Sequence, residues 1–185
     1  MIIPLLHGPT RQSLHRGEPG MLNQLFFRGP SIDVLHEEYA KKGRIDAGAP
    51  VGAACEIRIE APVGRVWELL VNVPAWGTWD RAVRDVHLDS TVAADARFTW
   101  VNGRARIRSR FAVVDPGREL TWTGISTGAK AVDRHVLEAT DDAATRVRSE
   151  ESMTGPLLML FYNSAKLRTG MEQWLTALKT AAEKP

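Results

Sequence analysis

The chain has little that would staple it covalently or anchor it in a membrane. Its one cysteine, Cys55, excludes an internal disulfide and, without clustered partners, a zinc site. No apolar run approaches the roughly 18 residues of a membrane span, and the opening Met1-Ile2-Ile3-Pro4 lacks the basic flank of an export signal. Neither sign of charge dominates: 24 Lys+Arg stand against 22 Asp+Glu, a net +2 that excludes a polyelectrolyte role. These absences lead us to expect a globular protein of a reducing, cytoplasmic compartment that needs no cofactor. Tyrosine is scarce, with two residues, while tryptophan outnumbers it and phenylalanine, six against five. Each tryptophan brings a large flat surface and one N–H that wants a partner when buried.

With 185 residues the chain is long enough for one domain with a sizeable core. Glycine and proline crowd its start: residues 1–50 hold six of the 15 glycines and five of the 10 prolines. We therefore divide it into an N-terminal arm, 1–52, and a folded unit, 53–185. Within the arm only Ser31 to Lys42 reads as regular. Ser31 suits an N-cap, Asp33 the first turn, and Ile32, Val34, Leu35 and Tyr39 a loose stripe ended by Gly43. A short helix near 31–42 is one reading and an extended arm the other, since Gly8-Pro9, Pro19-Gly20 and Gly29-Pro30 punctuate the rest.

From Ala53 the patterns sharpen. Ala54 to Glu60 alternates as a half-buried strand, Pro62 opens a short helix over Val63 to Val71, and Pro74 to Asp80 reads as one or two further turns. Six strand-like runs follow: Ala82–Leu88, Arg97–Val101, Arg104–Val114, Glu119–Ser126, Lys130–Glu138 and Thr145–Met153. From Pro156 to Glu183, apolar residues at spacings of three and four, including Leu157, Phe161, Leu167, Met171, Trp174 and Leu178, predict one amphipathic helix about 40 Å long. The fold is thus α+β: a curved antiparallel seven-stranded sheet wrapped on a long C-terminal helix, with two short helices after strand 1.

The ordered set Ile59-Glu60-Ala61-Pro62-Val63, Val66-Trp67-Glu68-Leu69-Leu70, Trp76-x-x-Trp79, Phe98-Thr99-Trp100, Val114 to Gly124 and Glu150 to Gly155 carries a family likeness. Over roughly Ala53 to Glu183 it resembles the START-like (SRPBCC) superfamily and, within it, the polyketide cyclase/dehydrase branch. The resemblance implies a helix-grip fold, a deep cavity between sheet and long helix, and small hydrophobic ligands such as lipids or polyketides. It implies no single reaction, because cyclases and pure binders share the fold. Where that branch often carries a His-x-Trp pair, this chain has Asp133 and His135.

Alternation decides which side chains look inward. In Arg104–Val114 the even positions Arg104, Arg106, Arg108 and Arg110 must face water, so Ala105, Ile107, Ser109, Phe111 and Val113 face in. A four-residue turn pairing Val114 with Glu119 then sets Val113 against Leu120, Phe111 against Trp122 and Ser109 against Gly124. By the same logic Ala131, Asp133, His135 and Leu137 point inward on the next strand, and Val147, Ser149, Glu151 and Met153 on the last. If Leu137 pairs with Val147, Asp133 sits opposite Glu151; a two-residue shift would pair His135 with Glu151 instead. Either way three ionisable groups enter an apolar interior, which is costly unless they are paired or wet.

The leading expectation is a pocket for a small, mostly hydrophobic molecule, lipid- or polyketide-like, with a polar end. Its walls are Trp79, Trp100, Phe111, Trp122, Leu167 and Met171, and its anchors Ser109, Asp133, His135, Ser149 and Glu151. An alternative is an aromatase/cyclase-like enzyme in which His135, Glu151 or Asp133 moves protons. Nothing supplies a nucleophile or phosphate loop, and no metal site is expected because Asp133 and His135 come from one strand. A third option is an interaction module using the arginine-rich outer face, although its glutamates and its lack of interleaved aromatic side chains argue against nucleic acid. Leu22, Leu25, Phe26 and Phe27 would otherwise be exposed apolar surface, which raises a homodimer through the arm.

Overall fold

Seven strands, β1 (Val51–Ile59), β2 (Val83–Leu88), β3 (Arg97–Asn102), β4 (Ala105–Asp115), β5 (Glu119–Ser126), β6 (Ala129–Ala139) and β7 (Thr145–Thr154), form one open, curved antiparallel sheet. The computed structural model describes residues 28–140 and 143–184; Met21, Leu22, Leu25, Phe26, Phe27 and the Asp141-Asp142 turn lie outside the described residues. The strand order is β1-β7-β6-β5-β4-β3-β2, so β1 closes one edge beside β7 and β2 forms the other. Among the described residues four α-helical segments accompany the sheet: α1 (Ile32–Val34), α2 (Val63–Val71), α3 (Trp76–Trp79) and α4 (Ser164–Ala182). α2 and α3 lead from one edge to the other, and α4 lies along the inner face against β1 and α2.

The inner face is apolar because alternate residues of each strand point there, from Val51, Cys55 and Ile59 on β1 to Phe98 and Trp100 on β3. α4 meets it with Leu167, Met171, Leu175 and Leu178, a stripe at spacings of three and four. At the closed end of this sandwich Trp76 is fully buried, its ring 5.4–5.8 Å from those of Phe98, Trp100 and Trp122 and 5.0 Å from that of Trp174. Its Nε1–H donates to the Leu70 carbonyl at 2.9 Å, so this tryptophan is satisfied without solvent.

Two details depart from the sequence expectation. The last helix begins at Ser164 and not near Pro156, which shortens it to 19 residues, about 28 Å at 1.5 Å per residue. Leu157 takes a left-handed backbone at φ 62°, and Gly155 is pressed so close to the Gly128 carbonyl that a Cβ would lie 1.9 Å from its oxygen. The chain therefore turns there, makes a 3₁₀ turn at Leu158–Leu160, and starts the helix at Asn163, whose side chain accepts the Lys166 N–H at 2.9 Å. The β4–β5 hairpin also differs: Asp115 pairs with Glu119 and Val114 with Leu120, and a bulge at Ala112 restores the pairing of Phe111 with Trp122 and of Ser109 with Gly124.

The outer face is partly roofed. α1 continues into a π-helical turn (Leu35–Tyr39) and a 3₁₀ turn (Ala40–Lys42), and Leu35 and Ala40 bury themselves against Ala112 and Val132 of the sheet. Ser31 caps the segment by accepting the Val34 N–H at 3.2 Å, and Gly43 ends it at φ 62°, a conformation glycine reaches freely.

Candidate functional site

Between α4 and the curved sheet lies a cavity of about 450 Å³. Its floor and walls come from β3 and β4 (Trp100, Asn102, Ala105, Ile107), β5 (Trp122, Gly124, Ser126), β6 (Ala131, Asp133, His135) and β7 (Ser149, Glu151, Met153). Its roof is α4 with the preceding turn: Leu158, Phe161, Tyr162, Leu167, Gly170, Met171, Gln173 and Trp174. Leu157, Leu160 and Phe161 are left exposed at 41%, 62% and 59%, an apolar cluster on the segment that leads into the roof. The late start of α4 matters here, because a helix running from Pro156 would replace this turn with a regular surface.

The register brings the polar wall together. Leu137 pairs with Val147, so Asp133 stands directly opposite Glu151 and His135 opposite Ser149. The His135 ring is 2% exposed and stacks on Trp122 with centroids 4.9 Å apart. Its Nε2 lies 3.1 Å from Asp133 Oδ1, yet the approach is not that of a hydrogen bond, and neither ring nitrogen has a hydrogen-bond partner among the described residues. Trp174 Nε1 is likewise buried and unpartnered among them. A buried N–H or ring nitrogen left bare costs roughly 1–3 kcal/mol. The wall thus presents hydrogen-bonding groups that the protein itself leaves unanswered.

Burial, reinforced by the facing Asp133 charge, pushes the Glu151 carboxyl well above the usual carboxylate range. The Tyr162 phenol is raised too, first by burial and then by its proximity to Glu151. The shift favours the protonated form of Glu151, the form from which a carboxyl can donate a proton into the cavity.

Of the residues singled out from the sequence, Trp100, Trp122, Asp133, His135, Ser149, Glu151, Leu167 and Met171 all line this cavity. Three do not. Ser109 accepts a hydrogen bond from Trp100 Nε1 at 3.0 Å behind the wall, and Phe111 is stacked on Phe98 at 4.5 Å in the solid core. Trp79 packs on the far side of Trp174 at 4.6 Å and borders a separate shallow depression along α4. Sequence reasoning missed Tyr162 and Gln173, because both lay inside an assumed helix that was read only by its apolar stripe.

The outer face carries a different cluster. His36, Glu37 and Asp95 lie close enough to hold a cation. However, Asp95 already meets His36 Nε2 at 3.0 Å, Arg110 Nη2 at 2.7 Å and Lys41 Nζ at 3.1 Å. These contacts, led by the His36 hydrogen bond, hold its carboxyl down at about 2. Arg134 is pinned by both oxygens of Glu119 and by Glu150 at 2.7–3.1 Å. Both clusters are internally neutralised.

A helix gripped by a curved sheet over a cavity with unanswered polar groups is the architecture of a START-like domain. The family model described as "Polyketide cyclase / dehydrase and lipid transport" matches residues 53–183, and the chain belongs to that family. Solved structures agree on the fold. A hypothetical protein of Helicobacter pylori superposes with a TM-score of 0.67 at 14% identity, covering 74% of this chain and 90% of that one. A START superfamily protein of Mycobacterium smegmatis gives 0.61 at 9%, covering 71% and 97%. The Zhui aromatase/cyclase of Streptomyces sp. R1128 gives 0.58 at 16%, covering 71% and 93%. No curated protein matches the chain.

Proposed function

We propose that the protein binds a small, mostly hydrophobic molecule in the cavity beneath α4, with its polar end against Asp133, His135 and Glu151. The observation that carries this reading is His135: it is buried, stacked on Trp122, and without a hydrogen-bond partner among the described residues at either ring nitrogen. An occupant that supplies a partner recovers the cost of leaving such a group bare. The volume, about 450 Å³, lies within the range of small-molecule sites. Native mass spectrometry of protein purified from its own host tests the reading, with a co-purifying small molecule as the expected result. In a companion titration with dodecanol, Ala131→Trp should fill the cavity and abolish binding. Absence of any bound species, together with a dodecanol response untouched by Ala131→Trp, would overturn the reading.

One observation favours a second reading, an aromatase/cyclase-like enzyme. Burial beside Asp133 favours the protonated form of Glu151, and a carboxyl and an imidazole facing one cavity are suited to moving protons on a bound chain. Under that reading Glu151→Gln lowers turnover of a candidate polyketide by about 10²-fold or more while binding persists. Binding with unchanged turnover leaves the protein a binder.

A further inference from the structure

Histidine apart, the charged side chains turned into the polar wall of the cavity are acidic. The ionisable groups on its described lining are Asp133 and His135 on β6, Glu151 on β7, Tyr162 ahead of α4, Asp80 after α3, and Lys130 at the start of β6. β3, β4, β5 and α4 contribute none to that lining. Lys130 occupies an outward position of β6, and its Nζ donates to the Pro30 carbonyl in the N-terminal segment, so its charge is held on the other face of the sheet. No other ammonium and no guanidinium lines the cavity among the described residues.

Asp133 and Glu151 are direct cross-strand partners. Such partners hold their Cβ atoms about 4.5–5.5 Å apart, which lets two carboxyls share one small donor group. Around them stand the rings of Trp100, Trp122 and Trp174, which offer surface to an apolar body. A fatty carboxylate entering here would meet two acids and, His135 apart, no group able to carry a counter-charge. We propose that the ligand carries a basic end, an aliphatic ammonium or a comparable protonated nitrogen, seated between Asp133 and Glu151 with its apolar body against the tryptophans and Met171. The proposal rests on the cavity being a ligand site and names the chemical class of its occupant.

A proton balance follows. In the empty cavity burial and the Asp133 charge raise the Glu151 carboxyl and so favour its protonated form. An arriving ammonium supplies the missing counter-charge, so Glu151 becomes a carboxylate paired with the ammonium and its proton leaves to solvent. Binding of the amine is therefore coupled to proton release, and binding of an uncharged analogue is not.

The test titrates the wild-type protein with dodecylamine, dodecanol and dodecanoic acid at neutral pH, below their micelle concentrations. Tryptophan fluorescence reports binding, and calorimetry in two buffers of different protonation enthalpy reports protons released. Dodecylamine is expected to bind about ten-fold or more tightly than either analogue, since a charge-assisted hydrogen bond replaces a neutral one or a repulsion. Its binding should release a proton, and Asp133→Asn should narrow the gap between amine and alcohol. Dodecanoic acid binding as tightly as the amine, or amine and alcohol binding equally, overturns the proposal while the cavity reading stands. No binding of any of the three overturns both. The wild-type comparison decides the matter even if the variant fails to fold.

Discussion

Two histidines, His36 and His135, lie on opposite faces of one sheet, 1% and 2% exposed. His36 is answered at both nitrogens, by Thr123 Oγ1 at 2.9 Å and Asp95 Oδ1 at 3.0 Å, and serves to clamp the N-terminal segment to the sheet. His135 is answered at neither among the described residues, although it is equally costly to bury. Burial alone therefore does not tell these two histidines apart. What separates them is whether the fold completes their hydrogen bonds: it does for His36, and it leaves those of His135 open onto a cavity.

The comparison can be broken by substitution. The largest effect is expected within the solid end of the inner face, where Trp76→Ala removes a fully buried ring in contact with Phe98, Trp100, Trp122 and Trp174 and should cost about 3–5 kcal/mol in denaturant unfolding. A loss under about 1 kcal/mol would mean that this end is as hollow as the other. On the outer face Leu35→Ala should cost about 2–3 kcal/mol, less because the small cluster with Ala40, Ala112 and Val132 can partly collapse. Dodecanol binding should be unchanged by Leu35→Ala; a parallel loss of binding would show that the two faces are not independent.

Smaller effects distinguish the faces by sign in pH. Glu151 is raised, so the folded state holds a proton that the unfolded chain has released. That contribution is complete below the ordinary value of 4.5 and is lost as pH rises through the folded-state value. Glu151→Gln should therefore gain melting temperature relative to wild type as pH rises above the ordinary carboxylate value of 4.5. His36 is lowered, chiefly by burial, so its contribution is present above 6.5 and is lost as pH falls. Asp95, its direct partner, stays ionised through that range of mild acid because its carboxyl is held at about 2, and Lys41, Arg110 and Glu37 complete the cluster around it. His36→Gln should thus flatten the acid side of the stability profile. Slopes of the same sign for both variants would refute the assignment of roles.

The fold was legible because its signals are periodic. Seven alternating runs, a proline-opened short helix and one apolar stripe leave few arrangements once one sheet face must be covered. The inward placement of Asp133, His135 and Glu151 followed from the same alternation, since their strand neighbours Arg134, Arg146 and Arg148 could not be buried. What stayed hidden depends on contacts that periodicity does not encode. Leu157 continues the apolar spacing of the last helix, yet the close approach of Gly155 to Gly128 bends the chain there and moves Tyr162 into the cavity. Ser109 and Phe111 have the right face but the wrong depth, because the cavity occupies only part of that face and neighbouring tryptophans and Phe98 fill the rest. The roofing of the outer face by Leu35 and Ala40 rests on a bulge at Ala112 that no local pattern announces.

The most direct measurement follows the indole N–H resonances as dodecanol is added up to its solubility limit. The account predicts that Trp174, whose Nε1 is bare and on the cavity lining, shifts most, with smaller changes at Trp100 and Trp122. Trp76, bonded to the Leu70 carbonyl behind the wall, should stay nearly still. Six unmoved indole signals, or a response led by Trp76, would contradict the claim that this fold encloses a receiving cavity.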